Sequence, residues 1–166
     1  VYRAKGEWKN AENAFYRALK IDTHLESLEG QAYDLRNLGI NQGRQNRNEK
    51  ALETLDKGLK LSQQIGNRYN ELQSLFALAE INESLGRPEA TTLYGQAVAL
   101  SKTLWNREIL WRSLYGVGRN HEANKKVAQA LEFYKEAINI AEQLGHQRSA
   151  ADTRFPRSQL YADCIK

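Results

Sequence analysis

Glu80 and Glu83 lie three positions apart, so on a helix their carboxylates share a face and could serve as acid and base or hold a metal. Nothing in the sequence joins them. His24, His121 and His146 stand at unrelated places, no H-E-x-x-H spacing occurs, and the lone Cys164 gives zinc no second thiolate. Gly116-x-Gly118 lacks both the third glycine and the preceding strand that a nucleotide loop needs. Asn82-Glu83-Ser84 spells a glycosylation triplet but falls inside an expected helix, and Lys125-Lys126 is too short for a nucleic-acid patch. Carboxylates one turn apart are ordinarily just solvated. The reading is therefore no enzyme, no metal and no cofactor. A different set carries more: Tyr33, Arg36, Arg44, Phe76, Arg112, Tyr115 and Arg119 mix guanidinium groups with rings. Such a mixture suits a peptide with acidic and apolar side chains, the forks pairing with carboxylates while the rings cover apolar groups.

What positions these residues is a repeat. ALEFYKEAINI (residues 130–140) restates ATTLYGQAVAL (90–100), ALETLDKGLKL (51–61) and AENAFYRALKI (11–21). Each copy sets a small residue, a bulky one at +4, a small one at +7 and aliphatics at +8 and +10. The four sets are Ala11, Phe15, Ala18, Leu19, Ile21; Ala51, Leu55, Gly58, Leu59, Leu61; Ala90, Tyr94, Ala97, Val98, Leu100; and Ala130, Tyr134, Ala137, Ile138, Ile140. These offsets share one helix face, and a fixed period of this size marks a stacked array. A second helix type recurs with the same period as LRNLG (35–39), LFALA (75–79) and LYGVG (114–118). Each unit is thus helix A, turn, helix B, turn. Glycine inside a helix costs about 1 kcal/mol against alanine, so Gly39 and Gly118 imply places where two helix backbones touch, with Ala79 serving alike.

The pattern resembles the tetratricopeptide repeat, in its subtype with units of about 40 residues. Leu35, Leu38, Gly39; Leu75, Leu78, Ala79; and Leu114, Val117, Gly118 fill the first-helix slots, and the four sets above fill the second. No tryptophan leads any unit, the tyrosine slot holds Gln42, Asn82 and His121, and the closing proline is missing. The resemblance implies an all-α, right-handed superhelix (a solenoid) of antiparallel helix–turn–helix repeats, with the A helices lining a concave groove. It divides the single domain into a half repeat (1–24), repeats at 25–66, 67–105 and 106–146, and a cap or truncated repeat at 147–166. Helix A residues not committed to the A/B contact would face the groove, giving Tyr33, Arg36, Arg44, Phe76, Glu80, Arg112, Tyr115 and Arg119 as partner-binding residues. The implied function is a non-enzymatic protein-binding scaffold holding a peptide or helix of its partner. Two rivals stand beside it: a regulatory or sensor segment of a larger multidomain signalling protein, and an RNA-binding helical array. The second needs a basic stripe, which Glu80, Glu83 and Glu122 interrupt.

Composition bounds the same answer. The 166 residues are 41% hydrophobic and 27% charged, as in a globular chain, and only 2 Pro interrupt the helices. A net charge of +4 diluted by 20 acidic residues argues weakly for nucleic acid. No apolar run is long enough to span a bilayer, and one cysteine fits a reducing compartment, hence the cytoplasm. A chain without methionine reads as an excised piece of something longer. Four local expectations follow. Val1 to Lys5 end a helix at Gly6, and the first B helix runs from Trp8 to about Asp22. The polar run at 41–50 frays the end of the first complete A helix. Gly66 and Gly145 close helices, while Trp105, in the equivalent turn, lies over the junction. Beyond Gln147 a short amphipathic helix starts near Pro156.

Overall fold

The computed structural model describes residues 7–145, among which there are seven α-helices and no strand. They are α1 (Trp8–His24), α2 (Leu28–Arg44), α3 (Asn48–Gln64), α4 (Arg68–Ser84), α5 (Glu89–Thr103), α6 (Arg107–Ala123) and α7 (Val127–Gln143). The A helices are α2, α4 and α6; the B helices are the other four. The chain forms two compact units, one ending at Ile81 and the other starting at Asn82. The expected helix tail at 1–5 and the cap at 147–166, with Cys164 and His146, lie outside the described residues.

In the first unit α2 packs against both α1 and α3. Small residues set the approach. A Cβ on Gly39 would stand 2.6 Å from Leu55 Cγ and 3.2 Å from the Ala51 carbonyl, and one on Gly58 would meet the Arg36 amide and Leu35 Cβ at 3.2 Å. Ala32, Ala51 and Leu55 are fully enclosed there. The second unit repeats the device with rings: α6 packs against α5 and α7. Cβ atoms on Gly116 and Gly118 would meet the Tyr94 ring at 2.5 Å and the Tyr134 ring at 2.6 Å. Leu114, Ala137 and Ile140 form a core there, with Val98, Leu110 and Trp111 packed on its flank. Alternating small and bulky residues thus lets the interior fill to native density.

The helix α2 does not fray. It continues through the polar residues to Arg44, with Asn41 and Gln42 wholly buried. Their amides find distant partners: Asn41 Nδ2 donates to the Trp8 carbonyl (2.9 Å) and Gln42 Nε2 to the Tyr16 hydroxyl (3.4 Å). Hydrogen bonding to α1 offsets the cost of burying amides, which local composition does not reveal.

Every helix closes in the same way. Residues 26, 46, 66, 86, 105, 125 and 145, spaced by 19 or 20, all take left-handed φ between 54° and 75°. In the first six the following amide then reaches back five residues, as from Ser27 to the Asp22 carbonyl (2.8 Å) and from Asn106 to Ser101 (3.0 Å), the 6→1 bond of a Schellman close. Gly66 and Gly145 behave as expected, but Glu26, Asn46, Trp105 and Lys125 occupy the same position without being glycine. The A helices are also capped at their starts: Ser27 Oγ, Asn67 Oδ1 and Asn106 Oδ1 accept from the amides of Gly30, Asn70 and Ile109. Trp105 does not cover the junction; it is itself the left-handed residue, and its side chain is 86% exposed. Left-handed backbone costs an L-residue about 1–2 kcal/mol, and the exposed indole recovers little by burial. Trp105→Gly is therefore expected to raise the unfolding midpoint by about 2–4 °C, a gain of about 1 kcal/mol after the extra unfolded-state freedom of glycine. A lower midpoint in thermal denaturation would show that the indole is packed in solution.

Candidate protein-binding surface

In the first unit the structure brings Tyr33 and Arg36 together. The Arg36 guanidinium lies 4.7 Å from the Tyr33 ring centroid, on α2, and donates to Asn70 Oδ1 of α4. Tyr33 is 51% exposed and Arg36 only 8%. The ring is thus the outward part and the guanidinium is its support, a cation–π arrangement that fixes both side chains. On α4, Tyr69 is 55% exposed and its hydroxyl accepts from Gln73 Nε2 (3.1 Å). Arg44 belongs elsewhere: it sits at the end of α2, 5.7 Å from the centre of the Trp8 ring. Phe76 is buried, at 6%, and Glu80 is exposed. Hence Arg36 and Phe76, expected on the open wall, are largely withdrawn from it. The apolar contacts of the ring and the bond to Asn70 draw them in.

In the second unit Tyr115 and Arg119 meet in the same manner, guanidinium to ring centroid 5.0 Å. Arg119 is not a bare cation, because it pairs with Glu83 (2.6 Å). Glu83 also accepts from the Tyr94 hydroxyl (2.8 Å) and from Asn120 Nδ2 (3.5 Å). Within the Glu80/Glu83 couple, Glu83 is an anchor for α5 and α6 side chains, while Glu80 is exposed. Tyr134 repeats the bond on α7, donating to Glu122 (2.5 Å) and packing 5.5 Å from Tyr115. Burial, then the bond to Glu122, pushes the Tyr134 phenol well above its ordinary range. Arg112 is exposed on α6. Among the described residues no group of three or more His, Cys, Asp or Glu is placed to hold a metal, and no helix is long and apolar enough to cross a membrane.

Asn70, Tyr69 and the Glu83 hub are absent from the sequence-derived site. One signal for the hub was available. The acceptor stands four residues after the small residue of helix A, where Glu83 and Glu122 occur, and faces a tyrosine in the bulky slot of helix B. In the unit whose bulky slot holds Leu55, the corresponding position is Gly43. A phenol requires an acceptor and a leucine does not.

These helical hairpins, alike in length, capping and small-residue contacts, define an all-α helical-repeat solenoid, an architecture of protein-interaction scaffolds. The chain belongs to the tetratricopeptide repeat family: models of that repeat match residues 1–64 and 112–144. Solved structures resemble it in fold. BtubC (BKLC) from P. vanneervenii aligns with a TM-score of 0.85 at 19% identity, over 97% of this chain and 68% of that one. A kinesin-light-chain protein of P. anserina with nearly identical TPR-like repeats gives 0.70 at 17%, over 98% and 91%. Aspartyl phosphate phosphatase F from Bacillus subtilis gives 0.61 at 14%, over 96% of this chain and 46% of that one. No curated protein matches the sequence. The family's fold is generally a non-catalytic scaffold that binds protein partners.

Proposed function

We propose that the chain binds an extended peptide or helix of a protein partner on its A helices, and has no catalytic activity of its own. The observation that carries this reading is the first unit's wall, where the exposed rings of Tyr33 and Tyr69 stand on residues already held in place, Tyr33 by Arg36 and Tyr69 by Gln73. Fixed aromatic side chains lose little entropy on contact and are frequent hot spots. Tyr33, Arg36, Arg44, Phe76 and Glu80 belong to the proposal in the first unit, and Arg112, Tyr115 and Arg119 in the second. Their weights differ. The tyrosine rings make the contact, and Arg36 and Arg119 mainly position them. An acidic and apolar segment is the proposed partner, the tyrosine rings covering its apolar groups, and the cytoplasm is the proposed location.

A displayed peptide library selected on the whole chain tests this. Enrichment of acidic and aromatic or aliphatic residues is expected, and Tyr33→Ala and Tyr69→Ala are each expected to weaken the selected peptides about tenfold or more, as hot-spot truncations do. Both are exposed, so folding survives the change. Unchanged affinity in both variants would move the site off this wall.

A further inference from the structure

The junction of α1 and α2 contains a group that the binding reading does not use. Asp34 of α2 is 4% exposed, its Oδ2 has no hydrogen-bond partner, and its carboxyl faces that of Asp22 on α1 at hydrogen-bonding range. Asp22 presses so closely onto Gly30 that a Cβ there would collide with its carboxylate. The repeat shows what is unusual here. One period on, the same two slots hold Ser62 and Ser74, and in the next unit Ser101 and Ser113, all fully buried. Ser62 and Ser101 return their hydroxyls to the carbonyls of Gly58 and Ala97. Only in the 22/34 slots does a pair of ionisable acids replace a neutral pair.

Among the described residues no cation pairs with either carboxylate. Gln31, also on α2, gives its amide to the Asp22 carbonyl rather than to either carboxylate, and Arg36 is spent on Asn70 and the Tyr33 ring. From α3 this stretch of α2 meets Gly58, against the Ala32 carbonyl, Leu35 and the Arg36 amide. Among the described residues Asp22 is the charge that acts on Asp34. Two carboxylates this close, one of them buried, do not both ionise readily.

We propose that Asp22 and Asp34 form a proton-operated latch: one shared proton fastens the end of α1 to α2, and release of that proton to solvent loosens α1. Burial first, and then the Asp22 charge and contact, push Asp34 up to about 6. An acid raised in the folded state above its unfolded value of about 3.9 gives stability that is complete below that value and is lost as pH rises through the folded one. The opposite end of α1 has the reverse sign. Burial would raise Glu12, but the Arg47 guanidinium and the Gln45 amide outweigh it and hold the carboxyl below its ordinary range. That contact is present above the unfolded glutamate value of about 4.3 and is lost as pH falls below it. Docking of α1 is therefore strongest between the two, in mildly acidic solution, and slackens toward neutrality at its C-terminal end.

Carboxyl carbon NMR on the whole chain and hydrogen exchange across residues 8–24 test the latch. Asp34 is expected to titrate near 6, and the exchange of α1 amides, corrected for intrinsic rates, to rise on the order of tenfold between about pH 5 and pH 7.5. Asp34→Ser, which copies residues 74 and 113, is expected to abolish that rise, and Asp22→Asn to do the same should the first variant fold poorly. An Asp34 titration at the ordinary aspartate value, or an α1 exchange profile that keeps its pH dependence in Asp34→Ser or Asp22→Asn, would overturn the proposal.

Discussion

Replacing Tyr134 by alanine is expected to cost about 3–5 kcal/mol, the range for emptying a fully buried aromatic site. The ring is completely enclosed and fills the space that Gly118 leaves open. It also packs at a tilt against the Tyr115 ring and donates its hydroxyl to Glu122. Truncation opens a cavity and removes the acceptor's partner together. Tyr134→Phe separates the two: it keeps the ring and loses only the bond, at about 1.5–3 kcal/mol for a bond to a charged group. Urea denaturation of the two variants reads both numbers. If Tyr134→Ala cost no more than Tyr134→Phe, the ring would not be the structural filler described above.

Gly39→Val is expected to destabilise by about 1–3 kcal/mol or more, because its first carbon already stands 2.6 Å from Leu55 Cγ and 3.2 Å from the Ala51 carbonyl of α3. The control has the opposite sign. Gly95, on α5, has open space where a Cβ would stand, so Gly95→Ala is expected to stabilise by about 1 kcal/mol, the propensity difference in a helix interior. Thermal or urea unfolding of the pair checks whether contact or propensity governs each glycine. Equal effects at the two positions would mean that helix propensity alone accounts for both.

The contrast between these glycines bears on how much could be read in advance. Gly39, Gly58 and Gly118 announce close contacts because they recur in register with bulky partners, Leu55 and Tyr134 among them. That register was legible, and with it the helix pairing and the family. What escaped depended on partners far along the chain. The end of α2 looked like a loop because Asn41 and Gln42 are polar, yet Trp8 and Tyr16, 33 and 26 residues earlier, accept their amides. Arg36 looked like an outward cation because its helix offset matched the wall, yet Asn70 and the Tyr33 ring draw it inward. Arg119 likewise spends its charge on Glu83. Spacing locates a residue on a face; it does not say whether a neighbouring helix has already claimed its functional group. The Ser27, Asn67 and Asn106 caps were readable at the common period, being small polar residues just ahead of each A helix.

The uniform helix closes have an evolutionary corollary. Links of three residues, four only between α4 and α5, join helices that are almost all 17 residues long. Gaining or losing one residue within a helix would turn the rest of that helix by about 100° and present a charged stripe where a neighbour needs an aliphatic one, and losing one from so short a link would disrupt the left-handed close. Chains of this design should therefore tolerate substitutions at nearly every outward position while rejecting frame-preserving single-codon indels, so that their lineages lengthen or shorten by duplicating or deleting whole hairpins.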